Sequence, residues 1–89
     1  MIKHYYFIGI GGIGMSALAR ILLKKGEKVT GSDLHESGTT HSLRALGAEI
    51  FIGHDPSKIK KPHFIVYSTD IPEDNPEIVY AKKEKIPLS

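Results

Sequence analysis

One hexapeptide constrains the fold of this chain more than any other feature. Residues 9–14 read Gly-Ile-Gly-Gly-Ile-Gly, which matches G-x-G-x-x-G. The motif follows an aromatic and β-branched run at residues 5–8 and precedes an apolar segment with helical spacing. A strand, a glycine turn and a helix in this order are typical of phosphate-binding α/β folds, because glycines permit a tight turn and let the backbone approach a phosphate. The helix N-terminus then offers free N–H groups to the anion.

The rest of the chain alternates between strand-like and helix-like segments. We predict strands near residues 5–8, 28–31, 49–52 and 64–67, a fifth beginning at 86, and helices after the glycine turn, from about Thr40 to Leu46, and after the cap Asn75. In the first helix the apolar face is expected to comprise Ala17, Leu18, Ile21 and Leu22, with Ser16 opposite. This order predicts an α/β fold: a Rossmann-like, doubly wound parallel sheet of about five strands in a three-layer αβα domain, with strand order 3-2-1-4-5.

The predicted strand order also locates a ligand edge. Such sheets bind ligands at the carboxyl ends of the strands where the order reverses, so the glycine loop and residues 68–71 should meet there. Asp33 follows Gly14 by about 20 residues, where dinucleotide folds place a carboxylate that contacts ribose, although a turn or cap aspartate is the alternative. Ser68 and Thr69 end the fourth strand, where their hydroxyls either contact a ligand or bond to their own backbone.

Composition excludes several classes of protein. The 89 residues include no cysteine, which excludes disulfide scaffolds, iron–sulfur clusters and cysteine zinc sites, and the five histidines lack the spacing of a helical metal site. The net charge of +2 does not indicate a nucleic-acid or membrane surface. The apolar N-terminal stretch is interrupted by glycines and Arg20, so we expect neither a signal peptide nor a membrane span, and place the protein in the cytoplasm. No G-x-x-x-x-G-K-[ST] loop is present, which indicates a binding domain without a catalytic centre of its own.

Beyond the hexapeptide, the doubled glycine continues into Met15-Ser16, with Ala19 after it. Residues 9–19 resemble the opening of the Mur ligases, and this pattern is far more specific than G-x-G-x-x-G. Further matching segments follow in the family's order and extend over nearly the whole chain: residues 29–33, 53–54, 74–78 and 86–87.

The resemblance implies a three-domain ligase of which residues 1–89 form the N-terminal domain, the one that holds the UDP part of UDP-N-acetylmuramate. It is strongest to the members that join L-alanine to the lactyl carboxylate of the muramate through an acyl-phosphate made from ATP, with Mg²⁺ balancing the phosphate charge. ATP and L-alanine would bind to the central and C-terminal domains, so residues 1–89 alone would bind the UDP-sugar but not ligate. The product would enter peptidoglycan synthesis in the bacterial cytoplasm.

Carried over residue by residue, the resemblance implies a UDP-sugar site on the predicted ligand edge: Gly11, Gly12, Ile13, Gly14, Ser32, Asp33, His54, Ser68 and Thr69. The glycine-loop N–H groups would bind the diphosphate, Asp33 would contact the uridine, and His54 would lie on the phosphate side. One position departs from the family, which commonly has Ser-Ser-Ala-Ile where this chain has Ser-Thr-Asp-Ile at 68–71. Asp70 would repel a diphosphate unless its side chain points away.

Two alternatives stay open from the sequence. The glycine motif and Asp33 also fit an NAD-binding domain of a dehydrogenase or regulatory protein, in which the carboxylate would repel the 2′-phosphate of NADP. A third possibility is an interaction module in which the glycine loop is purely structural. The three hypotheses differ in the nucleotide that they expect to bind: a UDP-sugar, NADH or none.

Overall fold

The computed structural model describes the whole chain, residues 1–89, as strands and helices in alternation. The elements are β1 (His4–Ile8), α1 (Ile13–Lys24), β2 (Lys28–Asp33), α2 (Gly38–Ala45), β3 (Glu49–Ile52), a short 3₁₀ helix (Pro56–Lys58), β4 (Phe64–Val66) and α3 (Pro76–Lys83). The four strands are parallel and lie in the order β3-β2-β1-β4. Leu88 forms a parallel bridge to Ile65 of β4, which places the end of the chain where the predicted fifth strand begins. The predicted α/β fold and the strand order 3-2-1-4 are confirmed.

The sheet separates two apolar cores because alternate residues of β1 point to opposite faces. Phe7 packs on the face that α1 and α2 cover, and Tyr6 and Ile8 pack on the face that α3 covers; all three side chains are fully buried. A strand buried on both faces explains the uninterrupted aromatic and aliphatic run before the glycine loop. The glycine loop follows β1 directly, at the carboxyl edge of the sheet.

The second helix begins earlier than the sequence prediction. It starts at Gly38 because Ser37 caps it: the Ser37 hydroxyl accepts the N–H of Thr40, and the Thr40 hydroxyl accepts the N–H of Ser37. This reciprocal pair is a capping box with threonine in place of the usual glutamate or glutamine. The helix then ends at Ala45, one residue before the predicted limit.

The predicted apolar face of α1 was wrong at Ala17, Leu18 and Ile21, whereas Leu22 is partly buried and packs against the core. Met15, Ser16 and Ala19 are the buried residues of this helix, whereas Leu18 and Ile21 are 40% and 52% exposed. The small side chains of Ser16 and Ala19 face inward, and the longer leucines lie at the margin of the helix contact. Leu18 and Leu22 line an apolar groove that also includes Tyr5, Phe64, Val66 and Ser89. None of the helices is long and apolar enough to cross a membrane.

Candidate ligand site at the glycine loop

The glycine loop is closed by backbone hydrogen bonds onto the end of β2. The N–H groups of Gly9 and Ile10 both donate to the carbonyl oxygen of Ser32, each at 2.9 Å, and the N–H of Gly12 donates to the carbonyl oxygen of Gly9 at 3.1 Å. Gly9 has φ +78°, a conformation that side-chain-bearing residues rarely adopt. The chain therefore turns sharply from β1 into α1 at the carboxyl edge of the sheet.

The turn leaves the first N–H groups of α1 without a partner. The first N–H of this region to bond along the helix is that of Ser16, which donates to the carbonyl oxygen of Gly12 at 2.8 Å. The N–H groups of Ile13, Gly14 and Met15 make no hydrogen bond within the chain, and the cap Gly12 has no side chain to accept one. No acidic residue lies in the first turn of the helix. Three free donors at the positive end of a 12-residue helix can hold an anion.

Asp33 is bound to the glycine loop. Its Oδ2 atom accepts the N–H of Gly11 at 2.8 Å, and its Oδ1 atom accepts the N–H of His35 at 3.2 Å. A Cβ atom added to Gly11 would lie 2.7 Å from Oδ2 of Asp33, so only glycine fits this contact without displacement. Of the four loop amides assigned to the diphosphate, that of Gly11 is bonded to Asp33 and that of Gly12 to Gly9, and those of Ile13 and Gly14 are free.

A buried polar network lies beneath the loop. The Oε1 atom of Glu77 accepts the hydroxyl of Ser32 at 2.5 Å and contacts Nδ1 of His54 at 2.6 Å, while Oε2 accepts the hydroxyl of Tyr6. Nδ1 of His54 also lies 3.0 Å from Oγ of Ser32. Tyr6, Ser32 and Glu77 are fully buried. The network thus joins β1, β2, α3 and the turn after β3 directly below the carboxyl edge.

The Glu77 carboxylate is surrounded by hydrogen-bonding groups from β1, β2 and the turn after β3. Glu77 lies in the first turn of α3, where the helix dipole stabilises a carboxylate, and its N–H donates to the side chain of the cap Asn75 at 2.8 Å. Burial, followed by the hydrogen bond to Glu77, raises the pKa of Tyr6 above its ordinary value. The Tyr6 hydroxyl therefore stays protonated and continues to donate to the carboxylate.

The loop after β4 meets the glycine loop, as the predicted strand order requires. A Cβ atom added to Gly9 would lie 3.1 Å from Cδ1 of Ile71, and the N–H of Ile71 donates to the carbonyl oxygen of Ser68 at 3.1 Å. Ser68 is half-buried, whereas Thr69 and Asp70 are exposed. The hydroxyls of Ser68 and Thr69 remain unbonded at this edge of the sheet.

The structure brings most of the predicted site residues to one edge of the sheet, where some are accessible and others are buried. Ile13, Gly14 and His54 offer accessible groups, whereas the side chain of Ser32 is buried and bonded below them. The sequence prediction missed Tyr6, Met15 and Glu77. Glu77 carried one usable signal, its place in the matching segment 74–78, but a glutamate after a capping Asn-Pro reads equally well as an exposed first-turn residue.

Comparison with known proteins shows that nearly the whole chain is similar to one family. Residues 4–89 match the family described as "Mur ligase family, catalytic domain". The UDP-N-acetylmuramate–L-alanine ligases of Alkaliphilus metalliredigens and Aquifex aeolicus are each 51% identical, over 99% and 98% of this chain and 19% of their own length. The chain thus spans about a fifth of the length of these curated relatives.

A solved structure shows the same fold. The UDP-N-acetylmuramate-alanine ligase of Thermotoga maritima superposes with a TM-score of 0.92 at 40% identity, over 97% of this chain and 20% of that one. These relatives do not favour the NAD-binding alternative. With the glycine loop, the strand order and nearly the full sequence in agreement, this chain belongs to the Mur ligase family.

Proposed function

We propose that residues 1–89 form the domain that binds the UDP part of UDP-N-acetylmuramate in an ATP-dependent ligase. The ligase would join L-alanine to the muramate carboxylate; the relatives are named UDP-N-acetylmuramate–L-alanine ligases. The observation that carries the proposal is the row of free N–H groups at Ile13, Gly14 and Met15 on the carboxyl edge of the sheet. They supply donors and a helix dipole for a diphosphate.

The remaining site residues take distinct roles in this proposal. His54 lies on the diphosphate side, and Ser68 and Thr69 offer hydroxyls to the sugar or phosphate from the facing loop. Asp33 accepts the N–H of Gly11 and so stabilises the loop, and the exposed part of its side chain faces the uridine. Gly11 and Gly12 act through their lack of side chains, since their N–H groups already donate to Asp33 and Gly9. Ser32 supports the loop through its carbonyl oxygen and the buried network through its hydroxyl.

ATP and Mg²⁺ do not fit residues 1–89. The sequence holds no phosphate-binding loop with its lysine, and no three His, Asp or Glu side chains lie close enough to hold a metal ion. We therefore derive no step of the ligation from these residues. In the proposed enzyme, ATP, Mg²⁺ and L-alanine would bind to other domains, in the bacterial cytoplasm, and the product would enter peptidoglycan synthesis.

Calorimetric titration tests the proposal. The purified 89-residue chain is titrated with UDP-N-acetylmuramate, and with NADH under the same conditions as the control. We expect saturable binding of the UDP-sugar at one site and no binding of NADH. Binding of NADH without the UDP-sugar would support a dinucleotide domain instead, and binding of neither would indicate a structural role for the glycine loop.

A further inference from the structure

Glu77 is a fully buried carboxylate that the proposed diphosphate site does not itself use, yet it contacts His54, which that site does use. We propose that Glu77 is a positioning residue: it holds the His54 imidazole by Nδ1, so that Nε2 is presented to a phosphate oxygen of the bound ligand. This inference rests on the proposed function, because it assigns the phosphate contact to His54.

The hydrogen-bond inventory fixes which nitrogen is held. An ionised carboxylate only accepts hydrogen bonds, so the 2.6 Å contact to Oε1 of Glu77 requires a hydrogen on Nδ1 of His54. The Ser32 hydroxyl donates to the same Oε1 atom. Its oxygen also lies within hydrogen-bond distance of Nδ1 of His54, so it can act as a second acceptor for the hydrogen on Nδ1. The tautomer of a histidine is set by the hydrogen bond that its other nitrogen makes.

The second nitrogen of the ring is left for a ligand. Nε2 of His54 makes no hydrogen bond within the chain, and the chain contains no buried side-chain nitrogen or oxygen without a partner. Nε2 therefore reaches solvent, although the side chain as a whole is only 13% exposed. A ring held below by Nδ1 and open above at Nε2 can contact an anion at the sheet edge.

Charge balance explains why a buried carboxylate serves this purpose. A buried ion is costly unless it is paired and hydrogen-bonded, and Glu77 has donors from β1, β2 and the His54 turn, and lies at the start of α3. Donation from Nδ1 to Glu77 and from Nε2 to a phosphate oxygen at the same time requires a hydrogen on both nitrogens of His54. Asp55, next to His54 in the chain, is exposed and accepts the N–H of Ser57.

The test measures coupling between the two residues. UDP affinity is determined by calorimetry for the wild type, Glu77→Gln, His54→Gln and the double variant. We expect each single variant to lose about tenfold or more in affinity, the scale of one hydrogen bond to a charged group, and the double variant to bind no more weakly than His54→Gln alone. Tyr6→Phe is the matched control: it removes another donor to the same carboxylate, leaves the His54 contact, and should bind UDP within about twofold of the wild type.

A second measurement tests the positioning role on the wild-type chain, in case Glu77→Gln does not fold. Nitrogen NMR of the imidazole in the unliganded wild-type chain should show a hydrogen on Nδ1 of His54. A neutral ring with its hydrogen on Nε2 would overturn the positioning role without any variant.

The outcomes separate the two proposals. If the wild type binds UDP but the losses from the two substitutions add, or Glu77→Gln binds as well as the wild type, the positioning role is wrong and the proposed function stands. If the wild type does not bind UDP, the proposed function fails, and the ligand role of His54 fails with it.

Discussion

Gly11 and Asp33 act as one unit in the glycine loop. The N–H of Gly11 donates to Oδ2 of Asp33, and a Cβ on Gly11 would lie 2.7 Å from that same atom. The missing side chain at Gly11 therefore accommodates a carboxylate of the chain itself. This contact links the end of β2 to the loop that precedes α1.

Substitution of Gly11 should weaken ligand binding through the loop. In Gly11→Val the branched side chain would displace Asp33 and open the hydrogen bond, so we expect UDP binding to be lost by calorimetry. Gly38→Ala is the control, because Gly38 lies in α2 outside the proposed site and a Cβ there meets no atom within 4 Å. A folded Gly11→Val variant that binds UDP like the wild type would remove the loop from the site.

Asp33→Ala should reduce UDP affinity by about 1–3 kcal/mol, the usual loss when a partly buried hydrogen-bonded group is left without its partner. The reason is that Gly11 loses its acceptor and the loop loses its tie to β2. Calorimetry on this variant and on Asp33→Asn, which keeps an acceptor oxygen, checks the expectation. Equal affinity in Asp33→Ala and the wild type would contradict it.

At the residue scale, the sequence predicts the glycine loop but not all of its hydrogen-bond partners. The motif predicted that the loop N–H groups face an anion; the amides of Ile13 and Gly14 are free, and their contact with an anion stays a prediction. The motif did not predict that the N–H groups of Gly11 and Gly12 bond to Asp33 and Gly9, because those partners are set by the turn geometry of Gly9 and the position of Asp33. The burial of Glu77 also depends on how α3 packs against the sheet, which no local pattern encodes.

At the scale of elements, the cap of α3 also supports the site. The Asn75 side chain is buried and accepts the N–H of Glu77 at 2.8 Å, so it fixes the helix start and the residue that contacts His54. The predicted cap Asn75 with Pro76 at the first helical position is confirmed. Local capping chemistry thus places the carboxylate to which we assign the positioning role.

Asn75→Ala should lower the free energy of unfolding by about 1 kcal/mol, the typical loss of a helix cap, and should also weaken UDP binding because Glu77 loses its anchor. Ser37→Ala is the comparison, since Ser37 caps α2 away from the network. It should lose similar stability but keep UDP affinity. Urea denaturation and calorimetry measure both quantities, and an equal loss of affinity in the two variants would contradict the proposed link.

Element boundaries were predictable where turn and cap residues are unambiguous. The strand at Glu49–Ile52 and the start of α3 agree with the sequence prediction. β2 continues to Asp33, two residues beyond its predicted end, because it pairs with β3 as far as Ile52. Strand pairing of this kind is a tertiary contact, so local propensity does not predict where it ends.

At the scale of the whole molecule, His4 makes stability depend on pH. His4 is buried at the start of β1, its Nε2 lies 2.8 Å from Oγ1 of Thr30, and its N–H donates to His63. Burial, then the charges of Lys28 and His63, lower the pKa of His4 below its ordinary value of 6.5, against the smaller opposing effect of Glu49. The unfolded chain therefore binds a proton more readily than the folded chain.

The sign of the pH effect follows from that difference. The contribution of His4 to stability is fully present above pH 6.5 and is lost as the pH falls from there through its folded-state pKa. Thermal melts between neutral and mildly acidic pH should show a falling midpoint, and His4→Gln should reduce the dependence. His35→Gln is the comparison variant, because the His35 side chain is exposed and makes no hydrogen bond or ion pair within the chain.

The most direct test of the central claim is a titration of the nitrogen-15-labelled chain with UDP, followed by amide NMR. The claim is that a diphosphate binds to the free N–H groups at the start of α1. We predict that the largest shift changes fall on the amides of Ile13, Gly14 and Met15, with smaller changes at His54 and Ser68, and that NADH produces none of them. Shift changes confined to the apolar groove around Leu18 and Phe64, or no change at saturating UDP, would contradict the account.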